Sequence, residues 1–104
     1  MIKIRYLRES VCAADDYVNH DLEIMMPDDA TIRDFVEYIH HYHDDEGFSA
    51  IPYTGGGKWW ALKSNHRVLA YINDDQDRVN YGEFDSETPL RNLGITEVYG
   101  TRVF

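Results

Sequence analysis

The stretch TIRDFVEYIHHYH, residues 31–43, decides the fold of this chain because it predicts a helix with one apolar side. Thr31 lies three residues before Asp34, a spacing close to the capping box, with Asp where Glu or Gln is usual. Gly47 can take the left-handed conformation that ends a helix, so the helix is expected to stop before it. At about 100° per residue, one side of this helix is predicted to carry Ile32, Phe35, Val36, Ile39 and His43.

Two strands are predicted before the helix. Residues 2–7, IKIRYL, alternate apolar and polar positions, which is the pattern of a strand with one covered side. After a connection at residues 9–16, the alternation resumes from Tyr17 to Met26 through Leu22 and Ile24. Because these strands are adjacent in sequence, a β-hairpin is predicted.

The region after the helix combines a glycine run with two tryptophans. The run GGGK, residues 55–58, is followed by Trp59, whereas a phosphate-binding loop requires Ser or Thr there, so a simple loop is predicted. The segments WWAL (59–62) and VLAYI (68–72) flank KSNH, whose Ser-Asn pair favours a turn, and a second hairpin is predicted. Neighbouring residues of a strand point to opposite sides, so one of Trp59 and Trp60 fills the core while the other lies outside.

The last part of the chain predicts one helical turn and a closing strand. Leu90 and Leu93 are followed by Gly94, which can close such a turn with a positive φ. Residues 98–104, VYGTRVF, are rich in residues that favour strands.

Three stretches resemble the ubiquitin-like, or β-grasp, fold family. DDATIRDFVEYI resembles the helix after the first hairpin, RVLAYINDD the strand and turn that follow, and SETPLRNLGITE the turn before the closing strand. The resemblance implies an α+β fold in which a mixed sheet of four to five strands packs on one helix. A single ubiquitin-like domain is expected over residues 1–104, with an inserted hairpin around residues 47–64.

One departure from that family concerns function. Ubiquitin and its sulfur-carrier relatives act through a C-terminal Gly-Gly tail, whereas this chain ends in RVF, residues 102–104. A non-conjugating member is therefore expected. A [2Fe–2S] ferredoxin, which also uses this fold, requires four thiolates, whereas Cys12 is the one cysteine here.

Charge is distributed unevenly along the chain. The net charge is −9, and residues 15–46 carry eleven acidic side chains against Arg33 alone, whereas residues 47–72 contain three basic side chains and no acidic one. Nucleic-acid binding depends on neutralising phosphates, so no nucleic-acid partner is expected, and a basic protein is the natural electrostatic partner. No apolar run approaches the roughly 20 residues that cross a bilayer. A cytoplasmic protein without a membrane partner is expected.

The stretch YIHHYHDDEG, residues 38–47, raises the question of a metal site. On a helical wheel His40 and His43 share a side, whereas His41 points away, so the three imidazoles are not expected to converge. Two ligands fall short of the three or four of a firm zinc site. No metal is predicted, and the histidines are interpreted as the polar end of the helix, where cations suit the macrodipole. A His-rich metal-binding domain is the alternative.

The predicted function is a non-enzymatic protein–protein interaction module. Cys12 and the histidines lack a local catalytic signature, so neither catalysis nor a cofactor is expected. One helix covers one side of a sheet, and the other side, with the Trp-containing insertion, is left for a partner. Exposed aromatics beside cations are typical interface anchors. The candidate partner-binding residues are Lys3, Arg5, Met25, Lys58, Trp59, Trp60 and Tyr71. The alternative is an acidic inhibitor or nucleic-acid mimic that docks residues 15–46 on a basic surface.

Overall fold

Six strands and two helices make up the described part of the chain. The structure is a computed structural model and describes residues 1–9, 21–45, 48–75 and 77–103. In chain order the elements are β1 (Ile2–Arg8), β2 (Asp21–Met26), α1 (Ile32–His41), β3 (Trp59–Ser64), β4 (Arg67–Asn73), β5 (Val79–Tyr81), α2 (Leu90–Leu93) and β6 (Glu97–Val103). The strands form one mixed sheet in the order β2-β1-β6-β3-β4-β5, in which β1 and β6 run parallel and the other neighbours antiparallel. The predicted α+β class is confirmed. No helix in the described ranges is long and apolar enough to span a bilayer.

The capping residues of α1 act as the sequence predicts. The Thr31 Oγ1 accepts the Asp34 N–H at 3.2 Å, and the Asp34 carboxylate accepts the Thr31 N–H at 3.0 Å. This reciprocal pair satisfies two donors that a helix start otherwise leaves open, and it fixes where α1 begins. The buried side chains of α1 are Ile32, Phe35, Val36 and Ile39.

The end of α1 comes earlier than the apolar stripe predicts. The backbone turns extended at Tyr42, whose carbonyl accepts the N–H of Ala50 at 3.1 Å. The Tyr42 ring also meets the Phe48 ring edge-on at 6.2 Å. These contacts of Tyr42 with Phe48 and Ala50 require an extended backbone at Tyr42 and therefore end the helix at His41. His43 lies beyond the helix and is exposed, so its predicted place on the buried stripe is wrong, and Gly47 lies outside the described residues.

The hairpins follow the sequence prediction, but the strand count does not. Strands β1 and β2 pair, as do β3 and β4, with Asn65 and His66 as a two-residue turn. The sheet has six strands instead of four to five, because Val79–Tyr81 forms β5, a short strand that pairs with β4 at the sheet edge. The inserted hairpin expected around residues 47–64 is wrong, because residues 59–64 form β3, a central strand bonded to both β4 and β6. Residues 10–20, which include all of the predicted connection except Glu9 and the start of the predicted second strand, lie outside the described residues.

Residues 48–58 form an irregular segment that closes the core on the helix side. Phe48, Ala50 and Ile51 are buried in the same cluster as the α1 stripe. The Tyr6 hydroxyl donates to the Ala50 carbonyl at 2.8 Å, and the Arg8 guanidinium donates to the Ser49 carbonyl at 2.8 Å. Both donors lie on β1, so this strand holds the segment against the same side of the sheet as α1.

The two sides of the sheet differ in composition. Residues paired across neighbouring strands share a side, so the register fixes which side chains face α1. The core side of the strands carries Ile4, Tyr6, Ile24, Met26, Trp60, Leu62, Ala70, Ile72 and Val98, all buried. α1 and the segment 48–51 contribute buried residues to this same core, and the opposite side, here called the open face, retains exposed side chains.

Candidate functional site

The half of the open face on β1 and β2 carries paired charges. Lys3 Nζ lies 2.7 Å from Glu23 Oε1, and both side chains are more than 60 % exposed. The Arg5 guanidinium donates to Asp21 through Nε at 2.9 Å and lies 3.9 Å from Glu97. The hydrogen bond and the negative charge of Asp21 raise the pKa of Arg5. This half therefore presents a network of matched charges.

The other half of the open face, on β6, β3 and β4, is aromatic. Trp59 pairs with Val103 across β3 and β6, and Tyr71 pairs with Ala61, the next residue of β3 on the same side. Tyr99 faces outward from β6 and is 45 % exposed, and Val103 is 42 % exposed. Side chains in direct and diagonal cross-strand positions lie close enough to form a continuous surface. This aromatic half is defined by Trp59, Tyr71, Tyr99, Thr101 and Val103, whereas Ala61 on the same side is buried.

An open cleft of about 360 Å³ borders the aromatic half at the β3–β4 turn. Its walls are Lys63, Asn65, His66, Glu97 and Tyr99. Asn65 and His66 have φ angles of 52° and 68°, the left-handed region that type I′ hairpin turns require at both central positions. The turn thus places an imidazole and an amide beside the ring of Tyr99.

Most of the predicted binding residues share the open face. Arg5, Met25, Trp59 and Tyr71 all point to it by register, as does Lys3, although Met25 and Arg5 lie on the charged half. Lys58 precedes β3 and lines a smaller cleft with Thr54, Arg102 and Val103.

The assignment of Trp60 to this surface is wrong. The Trp60 side chain is fully buried on the core side, since it alternates with Trp59, which is half-buried on the open face. Tyr99 is a further surface residue that was not among the predicted binding residues. A signal for it exists, because Tyr99 alternates with the strongly apolar Val98 on a predicted strand.

The glycine run 55–57 is held by one carboxylate. Asp74 accepts hydrogen bonds from the Thr54 N–H at 2.7 Å, the Thr54 hydroxyl at 2.8 Å and the Lys58 N–H at 3.0 Å. Burial raises the pKa of Asp74, but the hydrogen bonds from Thr54, Lys58 and Gly56 outweigh burial and leave the pKa below its ordinary value. All three glycines have positive φ, so the loop follows a path that other residues would strain to adopt.

A second cluster forms where α1 ends. The His40 and His41 rings stack with centroids 4.6 Å apart, and His40 Nδ1 lies 3.7 Å from a carboxylate oxygen of Asp77, on the β4–β5 connection. The expectation that His41 points away from His40 is wrong, because a wheel describes Cβ directions and these side-chain torsions bring the rings together. Burial and then the nearby His41 lower the pKa of His40, against the opposing effects of Asp77 and the Asn73 carbonyl.

Comparison of the chain with protein-family models, with curated proteins and with solved structures gives no match.

Proposed function

We propose that this chain is a β-grasp protein-interaction module and that its open face is the docking surface for another protein. Three features of topology support the β-grasp assignment: a first hairpin β1–β2 is followed by α1, the last strand β6 runs parallel to β1 in the sheet centre, and β3 flanks β6 on its other side. Because one fold serves many functions, the docking role rests on the surface and not on the topology.

The observation that carries the proposal is that, within residues 1–9, 21–45, 48–75 and 77–103, helical and irregular segments cover one side of the sheet. α1 and segment 48–51 enclose the core side, while Tyr99 and Val103 of the central strand β6 retain 45 % and 42 % exposure on the open face. Aromatic side chains are enriched at protein interfaces, because they bury a large area at a small cost in rotamer entropy. Water contact with this apolar surface is removed when a partner covers it.

The dimensions of the open face fit an interface. Six strands spaced about 4.8 Å apart span about 24 Å, and six residues along a strand span about 20 Å. This is the order of size of one side of a standard interface, which buries about 800 Å² of accessible surface. The cleft bounded by Lys63 and Tyr99 offers a recess into which one partner side chain fits.

The charged half gives the interface its orientation. Exposed ion pairs such as that between Lys3 and Glu23 contribute about 0–1 kcal/mol each, so exchanging them for charges on a partner costs little. Alternating charges on one side of the aromatic half favour one docking orientation over its reverse.

Site-specific photo-crosslinking in the native host tests the proposal. A benzophenone amino acid replaces Trp59 in one variant and Glu37, an exposed residue of α1, in the control variant. We expect a discrete protein adduct from position 59 and none from position 37. With the crosslinked partner in hand, Tyr71→Ala should weaken binding by about 1–2 kcal/mol, as is typical of interface aromatics, while the circular dichroism of the fold is unchanged. Adducts from position 37 alone, or none from position 59, would contradict the proposal.

A further inference from the structure

The end of α1 and the β4–β5 connection bring three metal-binding side chains to one point. His40 and His41 are the last two residues of α1, and Asp77 follows β4. The candidate ligand atoms of these three residues all lie within 4.8 Å of one another. A tetrahedral zinc ion with ligand bonds of about 2.0–2.1 Å needs donor atoms about 3.3 Å apart. Asp77 is 88 % exposed, so rotation of its side chain can close the remaining gap.

The donor set suits a transition metal. Two imidazoles with one carboxylate are ligands that zinc and its neighbours accept, whereas calcium and magnesium prefer oxygen donors alone. The His40 ring also interacts with the backbone of Asn73, the last residue of β4, through a hydrogen bond that favours its protonated form. Metal-binding histidines typically use their second nitrogen in this way, because the hydrogen bond fixes the ring and leaves the other nitrogen lone pair for the metal.

The surroundings favour a cation. A cleft of about 230 Å³ opens beside the three ligands, and its described walls include Asp74 and Asp75 but neither Lys nor Arg. Asp74 already accepts hydrogen bonds from Thr54 and Lys58, so it contributes fixed negative charge and not a ligand. The cleft also leaves room for a water molecule on the ion.

We infer that His40, His41 and Asp77 form a binding site for one zinc-class divalent ion, with a fourth coordination position open to the cleft. Three protein ligands and one open position are the arrangement of zinc sites at which water or a substrate binds, whereas purely structural sites use four protein ligands. This site lies at the helix end and is independent of docking on the open face.

Zinc titration of the full chain tests the inference. The untagged, metal-stripped protein is titrated with zinc in competition with a chromophoric chelator. We expect one ion per chain, and a loss of affinity of about tenfold or more in His41→Ala and in Asp77→Asn, since even changes to outer partners of metal ligands cost about 10–100-fold. Both side chains are exposed, so the fold should survive, and circular dichroism checks this. Cobalt in place of zinc should give the visible absorption of tetrahedral coordination.

His43→Ala is the matched control. His43 is an exposed histidine two residues beyond α1 and outside the cluster, so zinc affinity should be unchanged in this variant. The inference is overturned if His43→Ala loses as much affinity as His41→Ala, which indicates adventitious binding to surface histidines. It is also overturned if His41→Ala and Asp77→Asn bind zinc like the wild type, or if calcium or magnesium binds more tightly than zinc.

Discussion

Gly100→Ala should lower the free energy of unfolding, although alanine is ordinarily tolerated at a strand position. A Cβ at Gly100 would collide with the Tyr6 hydroxyl and lie 3.0 Å from the ring carbon that bears it. Tyr6 is fully buried, and its hydroxyl donates to the Ala50 carbonyl at 2.8 Å. The ring therefore cannot move away from an added Cβ without losing this hydrogen bond and disturbing its packing. The glycine is therefore required because the Tyr6 hydroxyl crosses β6 to reach the segment that closes the core.

The expected magnitudes follow from these contacts. Overpacking a core typically costs about 1–3 kcal/mol, and Gly100→Ala should reach or exceed the upper end because the rigid ring must move and its hydrogen bond is lost. Tyr6→Phe alone should cost about 1–3 kcal/mol, because a buried carbonyl loses its donor. In the double variant the closest colliding atom is absent, so its destabilisation should be smaller than the sum of the single effects by about 1–2 kcal/mol.

Urea denaturation followed by tryptophan fluorescence measures the four free energies of unfolding in this cycle. Tyr53→Phe is the control, because Tyr53 is exposed and removal of its hydroxyl should lower the free energy of unfolding by less than about 0.5 kcal/mol. Additive effects of Tyr6→Phe and Gly100→Ala would refute the close approach of ring and strand.

Three further predictions concern other parts of the molecule. Asp74→Asn should cost about 1–2 kcal/mol at neutral pH, because a charged acceptor of several hydrogen bonds is lost. Because folding lowers the pKa of Asp74, its contribution to the free energy of unfolding is present at neutral pH and is lost as pH falls below about 4. The urea midpoints of wild type and variant should therefore converge in acid. A gap that stays constant with pH would contradict this. His66→Gly should stabilise the fold by about 0.5 kcal/mol and so raise the thermal midpoint slightly. Glycine removes the cost of a positive φ, and this gain should exceed the loss from a more disordered unfolded chain. A lower midpoint would argue against the turn geometry. If the acidic-inhibitor alternative holds, partner affinity should fall steeply between 50 mM and 500 mM salt. Docking on the open face should weaken much less over the same range, because the aromatic half supplies apolar contact area.

Local signals in the sequence predicted the elements well. The reciprocal cap at Thr31 and Asp34, the turn before Arg67 and the glycine after Leu93 each depend on residues a few positions apart. Gly94 takes the left-handed conformation with φ of 63°, which its place after a helical turn predicts. Such signals require no knowledge of the rest of the chain.

Contacts distant in sequence account for what the sequence did not predict. The end of α1 is set by Tyr42 meeting residues 48–50, and the place of β3 in the sheet centre is set by pairing with β6. The cluster of His40 and His41 with Asp77 joins a helix end to a strand connection, and no spacing rule relates these positions. The aromatic half was partly predictable, since strand alternation alone separates Trp59 from Trp60.

Fluorescence quenching of two single-tryptophan variants tests most directly whether one side of the sheet is open. Trp60→Phe leaves Trp59 as the reporter, and Trp59→Phe leaves Trp60; no hydrogen bond is lost with the indole of Trp60, whose N–H has no partner among the described residues. Acrylamide should quench Trp59 efficiently and Trp60 very little, and the crosslinked partner should protect Trp59 when it binds. Equal protection of both tryptophans in the free protein would contradict an open docking face.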